Sequence, residues 1–336
     1  MNKIRVAING FGRIGRVTFR NIQKNKNIDI IAINDLSDSK TLAHLLKYDS
    51  VHGRFPGTIE SNDDRIVVNG KSTFVYSEAA PERLPWKALG IDIVVESTGV
   101  FRDKKSAFLH IKAGAKKVII SSPALGEGVK YIVVGINEDT IEKNDLVISN
   151  ASCTTNCVAP LIKVLDDLWG IEKGFITTVH SYTHDQNLLD APHTDYRRGR
   201  AAAYSIVPTT TGAAKAATHI FPHLRNNLAG SGIRVPVPDG SLTDFACTLR
   251  NTTSVEEINY AFKKAANGRF KGILEYTEDP IVSIDIIGNP HSAIFDAGLT
   301  AVLGDKNKLV KVVAWYDNEM GYSSRLVELI ELFNKV

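Results

Sequence analysis

The sequence predicts an α/β protein with a doubly wound, mainly parallel sheet in its N-terminal half and an α+β arrangement with a mostly antiparallel sheet in its second half. Two patterns predict the first part. A glycine-rich turn joins a strand to a helix at residues 9–16, and strands alternate with helices through about the first 150 residues. The second part is predicted because, beyond residue 170, several strand-like runs follow one another with few helices between them.

Composition limits the class of protein. The 336 residues are 43% hydrophobic and 23% charged, which is typical of a globular protein with room for two domains. The formal net charge is only +3 and no long Lys/Arg run is present, so we expect neither nucleic-acid nor membrane partners. Three cysteines do not form a disulfide framework, and the chain starts directly with a strand. We therefore expect a reducing, cytoplasmic location.

The first glycine turn has the Gly-x-Gly-x-x-Gly pattern of a Rossmann-like dinucleotide site. The strand Ile4–Ile8 precedes it, and a helical pattern follows it. Gly10 allows a tight turn, Gly12 lets the backbone approach a pyrophosphate, and Gly15 lets helix and strand pack closely. A plain glycine turn is the alternative interpretation, and the surrounding elements argue against it.

An acid stands where a ribose-binding residue is expected. The strand that starts at Ile28 ends at Asp35, about twenty residues beyond the glycines. A carboxylate there accepts hydrogen bonds from a ribose 2′-hydroxyl and repels a 2′-phosphate. Asp35 therefore favours NAD over NADP as the cofactor.

Further strands and helices continue the alternation, and small polar residues follow several of the strands. Parallel sheets bind ligands at the carboxyl ends of their strands, so Thr98, Gly99 and Ser121 are candidate cofactor contacts. Each is equally well explained as an ordinary turn residue. The predicted elements are a helix around Leu42–Lys47, a polar stretch Asp49–Asp64, strands Ile91–Glu96, Lys117–Ile120, Tyr131–Val134 and Leu146–Ile148, and a helix Lys104–Ala113.

Cys153 is the candidate nucleophile. It follows the strand Leu146–Ile148 and a small polar turn, and a helical pattern over Val158–Leu168 comes after it. The unpaired N–H groups and partial positive charge of a helix N-terminus favour a thiolate, so we expect a lowered pKa for Cys153. A small buried cysteine is the alternative interpretation.

His180 is the candidate base for Cys153. It lies in a strand-like run, Phe175–Thr183, and an imidazole can accept a proton near neutral pH. A buried structural histidine is an equally good interpretation. Alternation along a strand places His180 and Thr183 on opposite faces, so a shared site requires the strand to end or bend between them.

An anion site is predicted further along. Residues 184–200 form a long polar segment without periodicity, and it carries Arg197, Arg198 and Arg200, which can bind anions, pair with another subunit or face solvent. Thr211 and Gly212 begin a helix that offers free N–H groups, and Arg234 lies in a strand. Taken singly, these residues are more simply a helix cap and a surface cation.

The remaining elements of the second half complete the α+β pattern. The chain is also expected to end in a helix over Glu319–Val336 that packs on one domain. The other predictions are strands Ser241–Arg250, Ile281–Ile287, Leu299–Leu303 and Leu309–Trp315 and an amphipathic helix Val255–Ala266.

A metal site built from Cys153, Cys157 and a histidine is a weaker possibility, because Cys-x-x-x-Cys without a second pair is a poor zinc pattern. Helical spacing puts Cys157 on the same face as Cys153, where we expect a small core residue. No metal is therefore predicted.

Several blocks of the chain, in order, resemble the phosphorylating glyceraldehyde-3-phosphate dehydrogenase family over essentially the full length. They are INGFGRIGR, SNASCTTNC, HSYT, RRGRAAA, PTTTGAAKA and WYDNEMGYS. The resemblance implies an NAD-binding domain over residues 1–151 with the helix 319–336 packed on it, a catalytic domain over 152–318, and a homotetramer. It also implies phosphorylating oxidation of D-glyceraldehyde 3-phosphate to 1,3-bisphosphoglycerate, a reaction of glycolysis and gluconeogenesis, with NAD as the hydride acceptor.

The resemblance also implies the roles of individual residues. Cys153 would form a hemithioacetal and then a thioester, His180 would act as the base, and Asn318 would hold the nicotinamide amide. The residues matched to substrate and phosphate are Ser152, Thr154, Thr183, Arg198, Thr211, Gly212 and Arg234. Besides the glycines, those matched to the cofactor are Arg13, Ile14, Asp35 and Ser121.

Two positions depart from the family pattern. Ala79 stands where many relatives carry a basic residue near the adenine, and Ala191 stands where NAD-preferring relatives often have leucine. A smaller residue leaves more room beside the ribose, so the second change reduces the expected strictness for NAD, although Asp35 still favours it.

Two other functions compete with this interpretation. Erythrose-4-phosphate dehydrogenase shares the fold and the Cys/His pair, but Thr211 and Gly212 fit the triose enzyme's phosphate site better. A noncatalytic dinucleotide-binding scaffold is the second alternative, and the retained Cys153 and His180 argue against it.

Overall fold

The computed structural model describes residues 3–304 and 307–336. The chain divides into two compact units. The first comprises residues 1–132, 137–151 and 323–336, and the second comprises residues 133–136 and 152–322.

The first unit is built on a nine-stranded sheet. Its elements in chain order are β1 (Ile4–Asn9), α1 (Arg13–Ile22), β2 (Ile28–Asn34), α2 (Ser39–Lys47), β3 (Ile59–Asn62), β4 (Arg65–Val68), β5 (Lys71–Tyr76), β6 (Ile93–Glu96), α3 (Lys104–Lys112), β7 (Lys117–Ile120), β8 (Lys130–Tyr131) and β9 (Val147–Ser149).

The strand order in this sheet is β3-β4-β5-β2-β1-β6-β7-β9-β8, and β1 pairs in parallel with both β2 and β6. The chain therefore moves outward from β1 in both directions, which creates the switch point where doubly wound sheets bind ligands. Val6, Ile8 and Val94 are completely buried, as expected for strands covered on both faces. The predicted fold class is confirmed for this half.

Two details of the N-terminal half of the chain differ from the sequence predictions. The polar stretch predicted as turns contains β3, which pairs antiparallel with β4, and β4 pairs antiparallel with β5. The predicted strand Tyr131–Val134 is wrong beyond Tyr131. There the chain enters a turn in which the N–H of Ile136 bonds the carbonyl of Val133, and Gly135 adopts a φ of +85°.

The second unit is built on an eight-stranded sheet. Its elements are α4 (Cys153–Trp169), β10 (Ile171–Ser181), β11 (Val207–Thr209), α5 (Ala213–Ile220), β12 (Leu228–Val235), β13 (Ser241–Leu249), α6 (Val255–Asn267), β14 (Leu274–Thr277), β15 (Ala293–Asp296), β16 (Ala301–Leu303) and β17 (Leu309–Tyr316).

The sheet order of the second unit is β11-β12-β10-β13-β17-β15-β14, with β16 beside β17. Only β10 with β12 and β14 with β15 pair in parallel among the described strands, so the sheet is mostly antiparallel, as predicted. Helix α4 packs against the centre of this sheet, on β13 and β17. Its apolar side, including Cys157, Leu161 and Leu165, is completely buried.

The predicted strand Ile281–Ile287 is wrong. Residues Ser283–Ile286 form a 3₁₀ turn, and the N–H of Val282 bonds the Asp285 side chain instead of a neighbouring strand. Strands β14 and β15 were not predicted, and the predicted strand Leu299–Leu303 is reduced to β16.

Helix α7 (Met320–Lys335) closes the chain, and from Ser323 onward it belongs to the first unit. Lys117 Nζ donates to the carbonyl of Phe333 at 2.6 Å. Asn25 and Asn27 each donate to Glu331 at 3.0 Å. No helix within residues 3–304 and 307–336 has the length and apolar character needed to cross a bilayer.

Candidate active site

Cys153 begins helix α4. Ser152 is the N-cap, and its hydroxyl oxygen accepts the N–H of Thr155 at 3.0 Å. Ala151, just before the cap, has a φ of +55°, a left-handed conformation that is uncommon for a residue with a side chain. The chain turns sharply at Ala151, and Cys153 is the first residue of the helix.

His180 lies beside the thiol. Cys153 Sγ and His180 Nε2 are 3.4 Å apart, and His180 is almost fully buried near the end of β10. The strand ends at Ser181, so Thr183 lies beyond it in the loop, which meets the condition for His180 and Thr183 to serve one site. The structure therefore brings the candidate nucleophile and the candidate base together.

Arg234 lies on the other side of the imidazole. Parallel pairing of β10 with β12 places Arg234 in register with His180. Its Nη1 is 2.8 Å from His180 Nδ1 and donates to the carbonyl of Ser181 at 2.9 Å. His180 Nδ1 is also 2.7 Å from the Ser181 carbonyl oxygen. In the tautomer that carries its proton on Nδ1, that proton can bond the Ser181 carbonyl, Arg234 bonds the same carbonyl, and the Nε2 lone pair faces the thiol.

The electrostatics keep both reacting groups uncharged. Burial, and then the Arg234 charge, lower the pKa of His180 to about 3, so the imidazole is neutral and can accept a proton. Burial raises the pKa of the Cys153 thiol, although Arg234 and hydrogen bonds from Thr154 act in the opposite direction. The predicted lowering of the Cys153 pKa is wrong for this structure, because desolvation outweighs the helix terminus.

Tyr316 is a site residue that the sequence did not reveal. Its hydroxyl lies 2.8 Å from the Thr154 hydroxyl and 2.8 Å from the Thr178 hydroxyl, and its ring packs edge-on against His180. It therefore links the start of α4 to β10. In the sequence, a tyrosine at the end of a strand is most simply interpreted as a core residue. The contacts of its hydroxyl with Thr154 and Thr178 become visible only in the folded structure.

The candidate anion-binding residues occupy the loops around β11. Arg198 Nε donates to the Thr209 hydroxyl at 2.8 Å, and its guanidinium also pairs with Asp185. Gly212 is the N-cap of α5, and space is open where a side chain would project from it. The Thr211 hydroxyl accepts the N–H of Ala213 at 3.2 Å. The single backbone N–H of Gly212 can thus contact an anion.

Asn318 belongs to the same unit and follows β17. Its Oδ1 accepts the hydroxyl of Ser181 at 2.9 Å and the hydroxyl of Ser241 at 2.7 Å. Neither serine was predicted as a site residue, since buried serines in strands carry no distinguishing sequence pattern.

The first unit has a cradle that fits a dinucleotide. Gly10 has a φ of +90°, and a Cβ there would lie 2.6 Å from the Thr98 nitrogen. A Cβ on Gly15 would lie 2.3 Å from the Gly10 carbonyl oxygen, whereas space is open at Gly12. The turn thus requires glycine at two positions and leaves the third free for a pyrophosphate.

The other candidate cofactor residues surround this turn. Asp35 Oδ2 accepts the N–H of Phe11 at 2.8 Å, which holds the carboxylate beside the glycine turn. Ile14 lies in the first turn of α1, and Ser121 follows β7. The Arg13 side chain is committed elsewhere, because its guanidinium makes two bonds to Asp49, at 2.6 and 3.0 Å. Arg13 is the first residue of α1, so its backbone lies beside the glycine turn.

This combination of a Rossmann-type unit and a closely spaced Cys/His pair is typical of an NAD-dependent oxidoreductase. Two family models match the chain: the glyceraldehyde 3-phosphate dehydrogenase NAD-binding domain over residues 4–104, and the C-terminal domain of the same enzyme over residues 152–318. The chain belongs to the glyceraldehyde-3-phosphate dehydrogenase family.

Curated relatives match the chain along nearly their full length. Glyceraldehyde-3-phosphate dehydrogenases of Thermotoga maritima and Clostridium pasteurianum are 56% and 54% identical to the chain, and that of Mycobacterium tuberculosis is 53% identical, with 99% of each sequence covered. The predicted family, enzyme class and NAD cofactor are confirmed. The predicted glycolytic oxidation of glyceraldehyde 3-phosphate is confirmed at the level of the family, and the erythrose 4-phosphate alternative is not favoured.

Proposed function

We propose that Cys153 and His180 carry out the chemistry of this glyceraldehyde-3-phosphate dehydrogenase. The observation that supports this most directly is the 3.4 Å separation of Cys153 Sγ and His180 Nε2. The lowered pKa of His180 keeps the imidazole neutral at physiological pH, so a ring nitrogen has a lone pair that can take the thiol proton.

Cys153 Sγ adds to the aldehyde carbon of the substrate while His180 Nε2 takes the thiol proton. His180 then returns that proton to the new alkoxide, which gives a hemithioacetal. In the oxidation, His180 removes the hydroxyl proton as a hydride leaves the same carbon, and the product is a thioester on Cys153. NAD, when bound, supplies the hydride acceptor. Inorganic phosphate attacks the thioester, Cys153 leaves as a thiolate, and 1,3-bisphosphoglycerate is released.

Two sets of residues would hold the phosphate groups. Arg234 on β12 and Arg198 provide cations, and Thr183 lies in the loop that follows β10. The remaining candidates are Ser152, Thr154, Thr211 and Gly212, which lie at or beside the first turns of α4 and α5. Helix N-termini bind anions through free N–H groups and the helix dipole.

The cofactor residues follow from the cradle of the first unit. Gly10, Gly12 and Gly15, with the backbone of Arg13 and Ile14, would hold the pyrophosphate, and Asp35 the adenosine ribose. Ser121 and Asn318 would contribute on the nicotinamide side. We infer an NAD-binding domain over residues 1–151 and 319–336 and a catalytic domain over 152–318.

The experiment that tests the chemistry compares Cys153→Ser and His180→Asn with Cys157→Ser. Cys157 lies on the same helix but is buried, with its Sγ 3.9 Å from the carbonyl of Ala314. We expect no NADH and no thioester mass adduct from Cys153→Ser, a loss of roughly 10²- to 10⁴-fold in kcat for His180→Asn, and near-normal turnover for Cys157→Ser. Normal turnover by Cys153→Ser would exclude the mechanism.

A homotetramer in the cytoplasm is the state we infer from the family. Several large apolar side chains of the second unit are exposed, among them Phe175, Leu188, Tyr204 and Leu309, and exposed apolar surface of this kind often marks an interface. Light scattering of the purified protein should give four times the 36.8 kDa chain mass. A monomer at micromolar concentration would contradict this inference.

A further inference from the structure

The amide oxygen of Asn318 is saturated by two hydroxyl donors. Ser181 and Ser241 are completely buried and both donate to Oδ1. A carbonyl oxygen has two lone pairs, so these two bonds fill its capacity. Among the described residues, Nδ2 of Asn318 has no hydrogen-bond partner, although Asn318 is more than nine-tenths buried.

The hydrogen-bond network itself selects this orientation of the amide. The Ser241 hydroxyl oxygen accepts the N–H of Ser181 at 3.1 Å, so its proton is free to donate to Asn318. If the amide were flipped, Nδ2 would face both hydroxyl oxygens. The two buried hydroxyl protons would then have no acceptor among the described residues, at a cost of about 1–3 kcal/mol each. The flipped form is therefore disfavoured.

We propose that Ser181 and Ser241 are specificity-determining positioning residues that turn Asn318 into a hydrogen-bond donor only, so that it recognises the carbonyl oxygen, and not the amino group, of the nicotinamide carboxamide. This inference rests on the proposed assignment of Asn318 to the nicotinamide. A donor-only amide rejects a ligand that offers only N–H groups, because two donors then face each other.

Ser181 performs two separable tasks. Its carbonyl oxygen bonds His180 Nδ1 and Arg234, whereas its hydroxyl bonds Asn318. Replacing Ser181 with alanine removes the hydroxyl and keeps the carbonyl. The surroundings of the base are thus preserved in Ser181→Ala, and the effect on ligand selection can be measured by itself.

The test measures, by calorimetry, the equilibrium binding of three dinucleotides to the full-length protein. NAD carries both groups, 3-acetylpyridine adenine dinucleotide keeps the carbonyl and lacks the amino group, and 3-aminopyridine adenine dinucleotide keeps an amino group and lacks the carbonyl. We expect the acetyl compound to bind wild type within about 3-fold of NAD, and the amino compound to bind at least about 10-fold more weakly. Equal binding of the two analogues would overturn the proposal without any variant.

Variants of Ser181 and Ser241 test whether these two serines cause the difference in affinity between the two analogues. In Ser181→Ala with Ser241→Ala, the Asn318 amide can rotate and accept, so the ratio between the two analogues should fall to within about 3-fold. Ser231→Ala, a half-buried serine on β12, is the matched control and should keep the wild-type ratio. Alkylation of Cys153 by iodoacetamide should proceed at the wild-type rate in all of these proteins.

Asn318→Ala separates the two proposals. If it leaves NAD affinity unchanged, Asn318 does not bind the nicotinamide and the assignment itself fails. If it weakens NAD binding while the double serine variant keeps the wild-type analogue ratio, only the role of the serines fails.

Discussion

Arg234 and His180 are held side by side by strand register, and Arg234 Nη1 lies 2.8 Å from His180 Nδ1. A guanidinium can only donate hydrogen bonds, and it repels an imidazolium. Burial and, second, the Arg234 charge therefore keep His180 neutral. Arg234, which we assign to a phosphate site, thus also lowers the pKa of His180.

Replacing Arg234 with glutamine should weaken the use of glyceraldehyde 3-phosphate without changing the binding of NAD. We expect kcat/KM for glyceraldehyde 3-phosphate to fall roughly 10²- to 10⁴-fold, because a charge-assisted contact to the substrate is lost in a buried site. Calorimetric NAD affinity should stay within about 3-fold of wild type, since Arg234 has no assigned role in holding the dinucleotide.

The control for this variant is Arg225→Gln, which changes an exposed arginine of the same unit. It should retain wild-type kinetics. If kcat/KM falls in Arg234→Gln by no more than in the control, Arg234 does not bind the substrate.

Removing the Tyr316 hydroxyl should mainly reduce stability. Tyr316→Phe loses two hydrogen bonds, to Thr154 and Thr178, and keeps the ring packing against His180. We expect the free energy of unfolding to fall by about 1–3 kcal/mol in urea titrations. Tyr276→Phe is the matched control, because the Tyr276 hydroxyl bonds the exposed Glu278 side chain, at 3.1 Å. Equal effects of the two substitutions would show that the Thr154–Tyr316–Thr178 link carries no stability.

The sequence predicted the elements that chemistry constrains locally. The Gly10 turn, the strand ending near Asp35 and the helix beginning at Cys153 each have a composition that few other structures accept. In each case the required φ value, the helix cap or the buried strand is encoded within about ten residues.

The sequence did not predict features that depend on tertiary pairing. Strands β14 and β15 are four residues each and gain stability from their neighbours in the sheet, so their local pattern is weak. Ser241 reaches Asn318 because β13 pairs with β17, and Tyr316 reaches Thr178 across the same sheet. The pKa of Cys153 was mispredicted for a related reason, since burial depends on the whole unit whereas the helix N-terminus can be read from the local sequence.

Asp239 should make the protein less stable as the pH rises. Burial and the neighbouring carboxylates of Asp317 and Glu319 raise the pKa of Asp239 to about 9, whereas an unfolded chain has a value of about 3.9. Between these values the folded state binds the extra proton, so the free energy of unfolding decreases with increasing pH. Asp239→Asn removes that titration and should be more stable than wild type by on the order of a few kcal/mol at pH 8, with a smaller gain at pH 5.

Thermal unfolding of both proteins from pH 5 to pH 8 measures this difference. Asp279→Asn, which changes an exposed aspartate, should run parallel to wild type. Parallel curves for Asp239→Asn and wild type would show that Asp239 is ionised in the folded protein.

Asp49 should show the opposite dependence on pH. Burial opposes its ionisation, but the hydrogen bonds from Arg13 and from the N–H groups of Val51 and His52 lower the pKa of Asp49 to about 2. A depressed pKa stabilises the folded state above the unfolded value of about 3.9, and that stability is lost as the pH falls towards 2. Asp49→Asn should therefore cost about 1–3 kcal/mol at pH 7 in urea titrations and distinctly less at pH 3. Asp63→Asn, at an exposed position of the same unit, is the control and should cost under about 0.5 kcal/mol at either pH. An equal loss for Asp49→Asn at pH 7 and pH 3 would mean that the interaction with Arg13 does not depend on the Asp49 charge.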